Sequence, residues 1–186
     1  YSTPDIARRI DIVPTSSSKP AALSYFTAPN PWDAFQVPEI KTGTLKAADG
    51  VTDLYYRLIL PTNFDPNKKY PILEYIYQGP GDHYVPKAFT AHHYYMSSIA
   101  ELGFIVVFVD GMGTSFRSRE FENVCYKNLK DAGLPDHISW IRAAAEKYPY
   151  MDIDRVGIYG CSAGGQEAMT AVLFHPDFYK AAYSAC

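Results

Sequence analysis

The stretch RVGIYGCSAGGQEAM, residues 155–169, constrains this chain more than any other. Residues 155–159 are β-formers in a run short enough for a buried strand. Gln166 to Phe174 has a helical composition, with Ala168, Ala171, Val172 and Leu173 available for an apolar face. A strand that turns at once into a helix forces its apex residue into a strained backbone. Side chains two positions before and after that apex would collide across the turn. Gly160 and Gly164 stand at those positions, with Ser162 between them. The arrangement frees the Ser162 hydroxyl at the carboxyl edge of a sheet. It also aims the amino terminus of the following helix, with its unpaired N–H groups, at the same point. A glycine-rich turn with an incidental serine is the competing reading, and the strand-to-helix context favours the elbow.

Composition bounds the rest. At 186 residues, 47% hydrophobic and 20% charged, the chain has the size and apolar content to build one cored domain. A net charge of −3 offers no basic footprint for nucleic acid or an anionic membrane, so no nucleic-acid partner is expected. The longest wholly apolar run, Phe104 to Val109, is far too short to span a bilayer. Cys125, Cys161 and Cys186 lack paired or metal-type spacing, which favours reduced, buried thiols. The chain opens on Tyr1 without an initiator methionine or leader and ends within an expected strand, so both ends read as cut and the compartment stays open.

Residues 1–38 differ in character from the remainder of the chain. YSTPDIARRIDIV suits the last strand of a preceding domain, and the proline- and serine-rich segment after it reads as an extended connector. From Glu39 the pattern is regular. Two strand-like runs flank Asp49-Gly50, a two-residue hairpin signal in which both turn positions take positive φ. Tyr70 to Tyr77 reads as a buried strand, Ala88 to Leu102 as a helix stopped by Gly103, and FIVVFVD (104–110) as the clearest strand. A helix is expected over Asp136 to Lys147, with Ile138, Ile141 and Ala145 on one face, and a last strand over Ala181 to Cys186. An antiparallel hairpin followed by alternating strands and helices implies an α/β fold, its mainly parallel sheet covered by helices on both faces.

Three ordered blocks, YRLILPTNFDPNKKYPILEYIYQGP, VVFVDGMGTSFRS and DIDRVGIYGCSAGG, carry a family likeness. Over roughly residues 40–186 the chain resembles the catalytic domain of the prolyl oligopeptidase family of serine peptidases, most nearly its dipeptidyl peptidase IV branch. The resemblance implies an α/β-hydrolase fold, cut after the nucleophile helix and the next strand. Residues 1–38 would then be the end of a β-propeller plus its connector, and residues 39–186 the amino-terminal part of the catalytic domain. It further implies Ser162 as nucleophile, with the Ala163 N–H and the Tyr77 hydroxyl as oxyanion donors and Gly160 and Gly164 as elbow glycines. No metal or cofactor is implied. A peptide substrate, a propeller in the same parent chain and a homodimeric parent are, as is a periplasmic, secreted or membrane-anchored location. The chain departs from the family at Met112, where an arginine is usual, and at Ala163, often aromatic. Arg117 and Arg119 are candidates to replace the lost cation.

A serine hydroxyl needs a histidine to take its proton and a carboxylate to orient that histidine, in the chain order Ser, acid, His for this fold. The residues after Ser162 hold one aspartate and one histidine, Asp177 and His175, in the wrong order and in what reads as a turn. His83, His92, His93 and His137 precede the serine and suit structural or surface roles, and adjacent His92 and His93 make a poor metal pair. The expectation is therefore a serine peptidase whose acid and histidine lie beyond residue 186. An acylaminoacyl peptidase or carboxylesterase is an alternative, as is a non-catalytic interaction module of the same fold.

Overall fold

The structure, a computed structural model, describes residues 1–3, 6–15, 23–79, 81–89 and 96–186. The chain divides into two compact units: Tyr1–Val37 with Pro86–Tyr94, and Pro38–Val85 with Tyr95–Cys186. In the first unit, β1 (Arg9–Ile12) pairs antiparallel with β2 (Leu23–Thr27). The connector expected there as wholly extended thus holds a paired strand. Tyr25, Phe26 and Thr27 are strong β-formers whose signal the flanking prolines and serines obscured.

The second unit is built on a six-stranded sheet. Its strands are β3 (Ile40–Lys46), β4 (Asp53–Ile59), β5 (Tyr70–Tyr75), β6 (Ile105–Asp110), β7 (Met151–Cys161) and β8 (Tyr179–Ala185). They lie in the order β3-β4-β6-β5-β7-β8. β3 to β6 are joined by antiparallel pairings through β4, and β6-β5-β7-β8 run parallel. Helix α1 (Met96–Ala100) follows β5 and α2 (Arg119–Asn123) follows β6. After these, α3 (Leu134–Lys147) precedes β7, and α4 (Ala163–Phe174) joins β7 to β8. The expected helix from Ala88 is described only as α1; its residues 90–95, including His92 and His93, lie outside the described residues.

Strand parity sorts the side chains into two cores. Leu54, Tyr56 and Leu58 of β4 and Ile105, Val107 and Val109 of β6 face one side, against Trp140, Ile141 and Ala144 of α3 and Ala168 and Ala171 of α4. Ile59, Val106, Phe108 and Tyr159 face the other, with Met96 and Ala100 of α1. Helices therefore cover both faces, as expected. On α3 the buried stripe runs through Leu134, His137, Trp140, Ile141 and Ala144, while Ile138 and Ala145 pack at its margin. On α4, Leu173 is exposed rather than part of the apolar face.

The hairpin turn differs from the two-residue form. Six residues, 47–52, connect β3 to β4, and among them only Gly50 has a positive φ, 71°. Asp49 acts through its side chain instead: its carboxylate accepts from the N–H groups of Val51 and Thr52, both at 2.8 Å, and from the Thr52 hydroxyl. An aspartate that satisfies the amides two and three residues on closes the loop without itself entering the left-handed region.

Candidate active site

Ser162 sits between β7 and α4 with φ 60° and ψ −120°, a conformation that non-glycine residues hold only when their surroundings impose it. The surroundings do so from both sides. The Ser162 N–H donates to the Ala185 carbonyl at 2.9 Å, and its carbonyl accepts from the Gln166 N–H at 3.1 Å. Space is the second constraint. A Cβ on Gly160 would lie 2.4 Å from the Gly164 carbonyl oxygen, and one on Gly164 would lie 2.1 Å from that of Ile76. The side chain at the apex stays exposed. Ala163 opens α4, so its N–H has no partner within the helix and points with the positive end of the helix dipole.

The segment after β5 lies directly against this elbow. The point where a Gly164 Cβ would stand is 3.4 Å from Tyr77 Cα, and a Cβ on Gly79 would be 3.1 Å from that of Ala163. The Tyr77 ring is half-buried and packs on Tyr84, centroids 5.5 Å apart. Tyr84 is fixed in turn, since buried Asp110 accepts its N–H at 2.6 Å and that of Val85 at 3.2 Å. Ser162 and Ala163 also line an open hollow of about 620 Å³ with Gln166 and Cys186; Tyr77 is not among its lining residues. The structure thus brings together Ser162, Ala163, Gly160, Gly164 and the Tyr77 backbone, and directs the Tyr77 ring towards Tyr84.

The remaining candidates go elsewhere. Arg117 donates to the Asp53 carbonyl and its guanidinium lies over Phe121, 4.4 Å from the ring centroid. At Met112 the backbone carbonyl accepts from Gln78 Nε2 at 2.5 Å. His175 pairs with Asp131 at 3.2 Å, and Asp177 lies in a turn. Among the described residues no histidine hydrogen-bonds Ser162, and no cluster of three metal-ligating side chains occurs. Cys125 is buried, but Cys161 and Cys186 are exposed, against the expectation of buried thiols, because they fall where β7 and β8 end.

A buried polar cluster beneath the elbow escaped sequence reasoning. Glu74 of β5 is fully enclosed; its carboxylate pairs with His137 Nδ1 and accepts from the Tyr179 hydroxyl at 2.8 Å. Glu167, also buried, accepts the Gln78 N–H at 2.9 Å. Strand parity carried a signal: in Ile72-Leu73-Glu74-Tyr75-Ile76 the glutamate occupies a core position between two isoleucines. His137 likewise falls on the α3 stripe between Leu134 and Trp140.

Burial pushes the Glu167 carboxyl up to about 7, a rise that the Gln78 N–H and His137 only partly oppose. Burial works against protonated His137, but the adjoining Glu74 carboxylate outweighs it and the net direction is upward. A group whose folded pKa is raised adds stability that is complete below its unfolded pKa and lost as pH rises through its folded pKa. For Glu167 that window runs from the ordinary carboxyl value of 4.5 to about 7. The loss is on the order of 3 kcal/mol. Buried Asp110 and Asp136, both raised by burial, act in the same direction. Glu167→Gln is expected to flatten this decline, measured as melting temperature against pH from 5 to 8. Parallel curves for wild type and variant would contradict it.

The comparisons with known proteins agree with this geometry. The model of the prolyl oligopeptidase family matches residues 89–186. Human dipeptidyl peptidase 8 is 30% identical over 170 residues, covering 91% of this chain and 19% of that protein. Mouse prolyl endopeptidase FAP is 32% identical over 146 residues, covering 78% and 18%. A crystal structure described as a "putative dipeptidyl aminopeptidase IV" from Bacteroides ovatus ATCC 8483 superposes with a TM-score of 0.87 at 38% identity. It covers 98% of this chain and 26% of its own. The chain therefore spans about one-fifth of the length of these curated relatives. With a strained serine between β7 and α4 and a family match over more than half its residues, the chain belongs to the prolyl oligopeptidase family.

Proposed function

We propose that the protein containing this chain is a serine peptidase that releases dipeptides from the amino termini of peptides, and that Ser162 is its nucleophile. The observation that carries the reading is the Ser162 backbone, held at φ 60° between β7 and α4 with its side chain exposed. The kinship with a dipeptidyl peptidase and a dipeptidyl aminopeptidase supports the substrate class. Residues 39–186 supply the first part of an α/β-hydrolase domain. Residues 1–38 belong to the end of a β-propeller and its connector, and the acid and histidine come from beyond residue 186.

In this reading Ser162 Oγ attacks the substrate carbonyl carbon as its proton passes to the histidine. The carbonyl oxygen becomes an oxyanion that accepts from the Ala163 N–H and the Tyr77 hydroxyl. The first donor is an unpaired amide at the amino terminus of α4, and the second belongs to a loop packed on the elbow. Collapse of the tetrahedral intermediate breaks the C–N bond, and the histidine proton goes to the leaving amine. Water then releases the acyl group from Ser162 by the same steps in reverse.

The test is a substrate comparison with the full-length protein. Proline-containing dipeptide anilides are expected to be cleaved with higher kcat/KM than amino-blocked anilides or short acyl esters. A preference for acyl esters or for blocked peptides would replace this reading with the carboxylesterase or acylaminoacyl peptidase alternative.

A further inference from the structure

Two amides flank Tyr77, and each is tied to a different arm of the elbow. The Ile76 N–H donates to the Tyr159 carbonyl of β7 at 3.0 Å, before the serine. The Gln78 N–H donates to Glu167 Oε2 of α4 at 2.9 Å, after it. The second tie is the unusual one. It joins positions 89 residues apart through a side chain, and both residues are almost fully enclosed, at 1% and 2% exposure. A carboxylate in such a place carries a desolvation cost that an apolar residue would avoid. Glu167 Oε1, Gln78 Oε1 and His137 Nε2 are buried with no hydrogen-bond partner among the described residues, so this pocket does not maximise stability.

The rest of Gln78 is fixed as firmly as its amide. Its side-chain nitrogen donates to the Met112 carbonyl at 2.5 Å, and its amide group lies 1.8 Å from where a Cβ on Gly133 would stand. Gln78 thus enters a slot that only glycine at position 133 leaves open. With Gly164 under Ile76 and Tyr77 Cα, the loop has one seat on the nucleophile helix.

We propose that Glu167 is a positioning residue for the oxyanion hole: through the Gln78 amide it locks the loop bearing Tyr77 to the helix that begins at Ala163. The proposal rests on the reading of Tyr77 as an oxyanion donor. Its chemistry is simple. An oxyanion donor is useful only where it meets the developing charge, and displacement by about 1 Å costs up to about 10² in rate. Glu167 reaches no substrate; it acts through Gln78 on Tyr77.

The test uses the full-length protein with Glu167→Ala, Glu167→Gln, Tyr77→Phe and the two Glu167 variants combined with Tyr77→Phe. Glu167→Ala is expected to lower kcat about 10- to 100-fold with KM changed less than about threefold. Glu167→Gln keeps an acceptor oxygen of the same reach and is expected to restore kcat to within about threefold. In the Tyr77→Phe background, Glu167→Ala is expected to cost no more than about twofold further, because the group it positions is gone. Hydrogen exchange over residues 76–79 reports the lock without reference to activity: faster in Glu167→Ala, protected in Glu167→Gln. Thermal unfolding of each variant, compared with the assay temperature, identifies any loss caused by misfolding. Unchanged exchange in Glu167→Ala, or additive losses in the double variant, would overturn the proposal. Normal kcat in Tyr77→Phe alone, with exchange still responding to Glu167, would overturn the reading of Tyr77 and with it the catalytic role given to Glu167.

Discussion

Ser162→Ala in the full-length protein is expected to lower kcat by about 10⁵–10⁶ while leaving the melting temperature within a few degrees of wild type. The two halves of this expectation have separate causes. In the proposed mechanism Oγ is the atom that bonds to the substrate carbonyl, and the variant lacks it. The fold has little reason to respond. Ser162 is exposed, it makes no side-chain cap to α4, and its backbone bonds to Ala185 and Gln166 persist with alanine. A variant that retained more than about one-hundredth of wild-type kcat would exclude Ser162 as the nucleophile.

Tyr77→Phe carries the second-largest effect. The substitution keeps the ring and its packing on Tyr84, so the loop retains its seat. What disappears is one hydroxyl donor. Loss of one oxyanion donor costs about 10²–10³ in kcat, roughly 3–4 kcal/mol, with KM little changed when the hydrogen bond forms mainly in the transition state. The Tyr77 ring leans on Tyr84 and does not line the hollow beside Ser162 and Cys186, so the variant also tells which side of the serine the oxyanion occupies. Near-normal kcat would mean that Ala163 works with a different second donor.

The elbow was legible because its determinants are local. Gly160, Ser162 and Gly164 lie within five residues, and the steric rule that couples them acts across a single turn. The sheet was legible for a related reason: runs such as residues 105–109 are buried on both faces and read as apolar throughout. The buried cluster was not, because its partners are far apart in the chain. Glu74 meets His137 across 63 residues and Gln78 meets Glu167 across 89. Taken alone, each of these residues reads as polar and solvated. The signals of enclosure were the parity that places Glu74 between Ile72 and Ile76 and the helical spacing that places His137 between Leu134 and Trp140. The β3–β4 turn shows a different limit. Asp49-Gly50 suits two kinds of turn, and the choice fell to the Asp49 side chain rather than its backbone. The strand Leu23–Thr27 was hidden by composition, since the prolines and serines around it outweighed the β-forming character of Tyr25, Phe26 and Thr27.

The chemistry proposed for this protein turns on one atom, the Ser162 oxygen. Treating the full-length protein with a fluorophosphonate probe and locating the adduct by peptide mass spectrometry tests it most directly. The expected result is one adduct per chain, on Ser162, appearing in step with loss of peptidase activity and absent from Ser162→Ala. Complete inactivation with the adduct on another residue, or full peptidase activity with Ser162 modified, would contradict it.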